Sequence, residues 1–177
     1  MLTSVTFLAA LLFSAATASP LEARSTCHPN FEGAILTVST YAYRPYWSYK
    51  WSSNPAVGSP VIASTSPSRW YFQQNGDSDP TYTVKNVDNL LFDVELDGGV
   101  LVMDDVDWSG SNVNQKWKVE CASCATDIAQ QTGFVAWGCN IAPASPSADG
   151  LCVTHTGLDS QLSLTACPSY GNFYFSV

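Results

Sequence analysis

Apolar residues in this chain recur in short runs, many alternating with polar ones, while the three-and-four spacing of an amphipathic helix is nearly absent after the N-terminal stretch. The runs 33–38, 60–63, 69–72, 90–94, 100–103, 115–119, 150–154, 162–165 and 172–175 are rich in Val, Thr, Phe, Tyr and Trp and are punctuated by Gly, Pro, Ser and Asn. Each reads as a short β-strand, and Asp97-Gly98-Gly99 reads as a turn. An all-β chain is expected, folded as a sandwich or a barrel, and internal repetition is the best arbiter between them.

The runs fall into three uneven blocks of the same order: a strand, a second strand, and a closing strand that carries an aromatic residue, one intervening residue and another apolar side chain. The closing pairs are Trp70/Phe72, Trp117/Val119 and Phe173/Phe175. Side chains two apart on a strand share a face, so each pair is expected to point the same way, into the core.

The N-terminal stretch is of another kind. The apolar run from Val5 to Ala16 is too short to span a bilayer comfortably and is followed by the small-residue pattern Ala16-Thr17-Ala18. Residues 1–18 are therefore expected to be a secretory signal peptide, residues 19–26 a short pro-segment or flexible N-terminus, and residues 27–177 a single domain. The expected product is a secreted, extracellular protein.

Charge narrows the partners. With a net charge of −8 and only seven scattered basic residues, the chain has no electropositive stripe for nucleic acid or an anionic membrane. Six cysteines (Cys27, Cys121, Cys124, Cys139, Cys152 and Cys167) point to up to three disulfides in an oxidising compartment. A zinc site built on Cys121 and Cys124 would need a second close pair, which the spacing does not supply. No metal or cofactor is expected.

The run MDDVDWSGSNVNQKW, residues 103–117, is the most suggestive chemically. From Asp105 it follows the opening of an EF-hand loop, but the bidentate acid such a loop needs at its twelfth position falls on Lys116. A glycosidase needs two carboxylates facing each other across a cleft. Here Asp104 and Asp105, adjacent on a strand, point to opposite faces, and Asp97 lies in a turn. The only histidines, His28 and His155, mark no catalytic triad. A non-catalytic protein is expected.

The repeated order of strand, hairpin and closing aromatic strand, with a full Gln-x-Trp at Gln115–Trp117, resembles the β-trefoil of the ricin-B-type lectins and is similar to small secreted fungal members of that group. The resemblance spans residues 27–177. It implies a β-trefoil of three uneven repeats, a within-repeat disulfide between Cys152 and Cys167, and binding of a glycan or glycoprotein. The pairing of the other four cysteines stays open. For sugar contact it points to the second block, where Asp93 and Gln115 would meet hydroxyls and Asn112 or Asn114 would assist. The first and third blocks carry Thr37 and Thr154 in place of Asp93, and Ser68 and Gly171 in place of Gln115. The usual place of the stacking aromatic is taken by Met103, which leaves Trp108 as the substitute.

Another feature competes for function. From Tyr41 to Trp51 the chain packs six aromatics into eleven residues. Exposed Tyr and Trp suit a protein or glycan contact, whereas alternation along a hairpin would equally bury them. A protein-binding trefoil, such as a secreted protease inhibitor using this run or the loop 140–149, is the competing expectation. A degenerate trefoil with a purely structural role is the other.

Overall fold

The computed structural model describes residues 26–40, 45–49 and 55–177. The expected signal peptide, all but the last residue of segment 19–26, and much of the aromatic run lie outside the described residues. The chain is all-β: β1 (Thr37–Thr40), β2 (Tyr46–Tyr49), β3 (Val61–Ser64), β4 (Trp70–Gln74), β5 (Tyr82–Asn86), β6 (Phe92–Asp97), β7 (Val100–Asp105), β8 (Trp117–Cys124), β9 (Phe134–Pro143), β10 (Leu151–Thr154), β11 (Ser163–Ala166) and β12 (Phe173–Ser176). Helix among the described residues is limited to 3-10 turns such as Val113–Gln115.

The strands pair antiparallel in a curled sheet. β1 pairs with β12, β12 with β9, β9 with β8, β8 with β5, and β5 with β4. A bridge between Leu36 and Trp70, with N–H···O distances of 2.9 and 2.8 Å, then links β4 back to the start of β1. The hairpins β2–β3, β6–β7 and β10–β11 meet one another through the Pro60–Val102 and Ile62–Gln161 bridges and the Ser163–Val100 pair.

Nine of these strands coincide with the nine alternating runs of the sequence. β5 and β9, which carry no repeated motif, connect the closing strands to one another. Within the ring of paired strands, Trp70, Phe72, Trp117, Val119, Phe173 and Phe175 are all buried, as the period-two spacing predicts. Phe31 packs on Phe72 (ring centroids 5.3 Å apart), on Tyr82 (5.7 Å) and on Phe175 (4.5 Å). The polar handles of two core aromatics are satisfied: Tyr82 Oη donates to Pro29 O (2.6 Å) and Trp117 Nε1 to Val94 O (2.9 Å). Trp47, from the aromatic run, is a core residue at 1% exposure, edge-on to Trp70 and Phe173. It cannot belong to an exposed contact surface.

Two local constraints shape the connections. The β6–β7 register, Asp97 opposite Val100, leaves a two-residue loop whose residues Gly98 and Gly99 both have positive φ (56° and 89°). Such a turn matches the strand twist, and glycine adopts it without steric cost. At Gly171, a Cβ would fall 2.0 Å from the Cys139 carbonyl carbon, so no larger residue lets the chain enter β12 this close to β9.

Three disulfides close the described chain: Cys27–Cys124, Cys121–Cys139 and Cys152–Cys167. The last is the pair implied by the family resemblance, and it ties the two strands of the β10–β11 hairpin. Loop-closure entropy ranks their contributions. Replacing Cys27 and Cys124, 97 residues apart, by Ala is expected to cost about 4–5 kcal/mol, and replacing Cys152 and Cys167, 15 apart, about 3 kcal/mol. Urea unfolding of the two double variants checks the order.

Candidate functional site

The stretch between β7 and β8 is held by side chains reaching back to the backbone. Asp107 Oδ1 accepts from Ser109 N (2.9 Å) and Ser109 Oγ (2.5 Å), while Oδ2 accepts from Ser111 Oγ (3.1 Å) and Asn112 N (2.7 Å). Those bonds, led by the Ser109 hydroxyl, hold the Asp107 carboxyl well below the usual carboxylate range. The acid at the third position of that calcium-loop-like run is thus the hub of a turn, with N–H and O–H donors aimed at it.

Below the turn lies a second layer. Asn112 Oδ1 accepts from Asn114 N (3.0 Å), and Asn112 Nδ2 donates to Glu95 Oε2 (3.0 Å) on β6. Gln115 Nε2 donates to the same Glu95 oxygen (2.8 Å) and to Asp105 O (2.9 Å), and Gln115 Oε1 accepts from Asp107 N (2.8 Å). Because Trp117 Nε1 bonds Val94 O, the Gln-x-Trp unit grips β6 at two consecutive residues.

This arrangement corrects two of the expected sugar contacts. Gln115, at 4% exposure, has its amide oxygen and nitrogen engaged by the protein, so it frames the loop rather than facing solvent. Asp93 is wholly buried, and neither carboxylate oxygen has a hydrogen-bond partner. It stands between Lys85 on β5 and Asp104 on β7 as their cross-strand neighbour. Asn112 and Asn114 are half-buried, with Asn112 committed to the frame.

Trp108 is 71% exposed at the tip of the turn. Lys85 Nζ lies 4.5 Å from the centroid of its ring and also donates to Gln73 Oε1 on β4 (2.8 Å). A cation on an indole face contributes about 0.5–1 kcal/mol when exposed and more when desolvated. Lys85 is 9% exposed, so it fixes the indole from below and leaves the rest of the ring to solvent. Trp108, Lys85 and Gln73 form a wall common to two hollows of about 240 and 190 Å³.

Lys85 and Gln73 were not among the candidate residues. They come from the end of the first block and the strand that follows it, and only the sheet brings them to Trp108. One signal was available: Lys85 is the single charge in the strand-like run Tyr82-Thr83-Val84-Lys85-Asn86. The candidate protein-contact segments fare differently. The described part of the aromatic run buries Trp47. The stretch 140–149 packs down on the domain, with Ile141, Ser145 and Ala148 buried and Asn140 Nδ2 donating to Pro168 O (3.1 Å).

No family model and no curated protein matches the chain. Among solved structures it is similar to a salivary protein from Culex quiquefasciatus of the Cysteine and Tryptophan-Rich (CWRC) family, with TM-score 0.52 and 14% identity over 87% of this chain and 96% of that one. It is also similar to the Haemophilus ducreyi cytolethal distending toxin, with TM-score 0.46 and 14% identity over 80% of this chain and 82% of that one. The first likeness shows a common all-β fold of mostly antiparallel strands. The three disulfides are consistent with an extracellular protein.

Asp93 makes stability depend on pH. Burial, reinforced by the charges of Glu95, Asp104 and Asp107 and opposed by Lys85, raises its pKa from 3.8 to about 8. The folded protein keeps this proton up to about pH 8, whereas the unfolded carboxyl releases it near pH 4, so stability falls as pH rises between those values. Asp93→Asn is expected to raise Tm by several degrees at pH 8–9 and to give no comparable gain at pH 4. Thermal melts of both proteins across this range check it, and an equal change at both ends would contradict the buried-carboxyl account. Gln115→Ala, which strips a bond from Asp107 N and one from Glu95, is expected to cost about 1–3 kcal/mol in urea unfolding.

Proposed function

We propose that this protein is a secreted, non-catalytic carbohydrate-binding protein whose domain, residues 27–177, is a β-trefoil. The return of pairing from β4 to β1, the three mutually bridged hairpins and the within-hairpin disulfide Cys152–Cys167 support the trefoil reading. The observation that carries the binding reading is Trp108: an indole 71% exposed, fixed on one side by Lys85 and flanked by hollows with hydrogen-bonding groups. An apolar pyranose face stacks on such a ring. Lys85 Nζ keeps donors beyond the one given to Gln73, and the Gln73 amide stands beside it.

In this reading the contacts are Trp108, Lys85 and Gln73, from the junction of the first and second blocks. Asn112, Gln115 and Asp107 position the loop, and Asn114 lies at its edge. Asp93, buried and protonated, is not a sugar contact in this reading. The partner is a glycan or glycoprotein.

A second reading, a protein contact, rests on a separate surface. Trp137 on β9 and Tyr174 on β12 are register partners, and Phe134 packs edge-on to Tyr174 with centroids 5.8 Å apart. Trp137 and Phe134 are exposed.

A glycan array spanning plant, fungal and animal structures tests the first reading, and silence across it would overturn it. Trp108→Ala is expected to weaken any binding found by at least about tenfold, about 1.4 kcal/mol. Its Tm should stay nearly unchanged, because the indole is mostly in solvent. Retained affinity would move the site to the Trp137 face.

A further inference from the structure

The two hollows beside Trp108 differ in chemistry. The smaller is lined by Asn75, Thr83, Asp107 and Ser109 together with the common wall, and offers hydroxyl, amide and carboxylate groups. The larger is floored by Phe31 and Phe72, walled by Tyr71 and rimmed by Leu90, with Glu32 as its only acid. Leu90 is 47% exposed, so this apolar hollow is open to water. Apolar surface held open in this way favours an apolar occupant. Each hollow is smaller than the ~300–1,000 Å³ of a pocket that encloses a drug-sized ligand, so each suits one part of a longer molecule. The continuous wall of Trp108, Lys85 and Gln73 makes them two ends of one site.

Resting on the carbohydrate reading above, we propose that the site takes an amphiphilic glycoconjugate, with a sugar ring in the polar hollow and an alkyl or aryl aglycone in the apolar one. Trp108 spans the join. Lys85 Nζ and the Gln73 amide sit at that join, where the glycosidic oxygen accepts a hydrogen bond. A free sugar fills half of this site. A hydrocarbon without a sugar leaves the Lys85 ammonium and the polar hollow without a ligand partner.

The test is a calorimetric titration of the intact protein with methyl, butyl and hexyl β-glycosides of glucose, galactose and N-acetylglucosamine, with hexanol as the apolar control. For at least one sugar, affinity is expected to climb from methyl to hexyl by at least about tenfold. Tenfold is about 1.6-fold for each of the five added methylenes, well below the about fourfold that complete burial of each would give. Leu90→Asp, a change on the rim, is expected to bring the hexyl-to-methyl ratio close to one. Equal affinity for the methyl and hexyl members overturns the amphiphile inference and leaves the sugar reading standing. Hexanol binding as tightly as the hexyl glycosides overturns both, whereas no binding by any member overturns the amphiphile inference and leaves the sugar reading to the glycan array.

Discussion

The pairing of β1 with β12, from Thr37 opposite Ser176 to Thr40 opposite Phe173, joins the two ends of the described chain, and the rest of the architecture depends on it. With this ladder in place, the pairing that starts at β1 runs through β12, β9, β8, β5 and β4 and meets its own start at the Leu36–Trp70 bridge. The same ladder carries Phe175 onto Phe31 and Phe72, which places the last strand's aromatic at the centre of the core. A ring of short strands encloses a volume that small side chains cannot fill at native density. The closing strands meet that demand with Trp70, Trp117 and Phe173, and the β2–β3 hairpin adds Trp47.

Much of this was legible because period-two alternation is local. Trp70/Phe72, Trp117/Val119 and Phe173/Phe175 declare an inward face within three residues, and burial follows. β5 and β9 were not legible as strands of the ring. Their partners lie on elements distant in sequence, and neither carries a motif repeated elsewhere. The Cys27–Cys124 and Cys121–Cys139 pairs escaped for the same reason: which of two cysteines three residues apart faces β9 is decided by register, and Cys121 is the one opposite Cys139.

The site shows the same boundary more sharply. Asn112, Gln115 and Trp108 are gathered by the sequence into one run, and the structure keeps them together, but in different roles. A Gln two residues before a core Trp sits where the chain dips inward, so its amide is buried and answers to Glu95 and the Asp107 backbone. Trp108 stays outside because Asp107 turns the chain under it. Asp93 looked like a hydroxyl acceptor, yet it is wholly buried on the face of β6 that also carries Glu95, between its cross-strand neighbours Lys85 and Asp104, and neither carboxyl oxygen has a hydrogen-bond partner. Which of a set of polar residues meets solvent depends on a sheet face, and a run of neighbouring letters does not specify one.

A buried carboxyl without a partner and a nearly buried ammonium on the adjacent strand are costly features for a domain of this size. They do not neutralise each other, because Lys85 extends to Gln73 and the Trp108 ring instead of to Asp93. Cross-links offset such a cost: removing a native disulfide from a small domain typically costs about 2–5 kcal/mol, and three are present here. The disulfides also lie away from the Trp108 turn, on the β8–β9 and β10–β11 pairs and the segment entering β1. The cross-links and the proposed recognition site therefore occupy different parts of the fold. The loop that presents Trp108 carries no disulfide and is held by hydrogen bonds and by the Lys85 ammonium against the indole, in keeping with binding loops set on a rigid scaffold. The position of Lys85 follows from this division. A charge held below an exposed indole stiffens the most exposed of the described aromatics, and the cross-linked sheet supplies the stability that tolerates it.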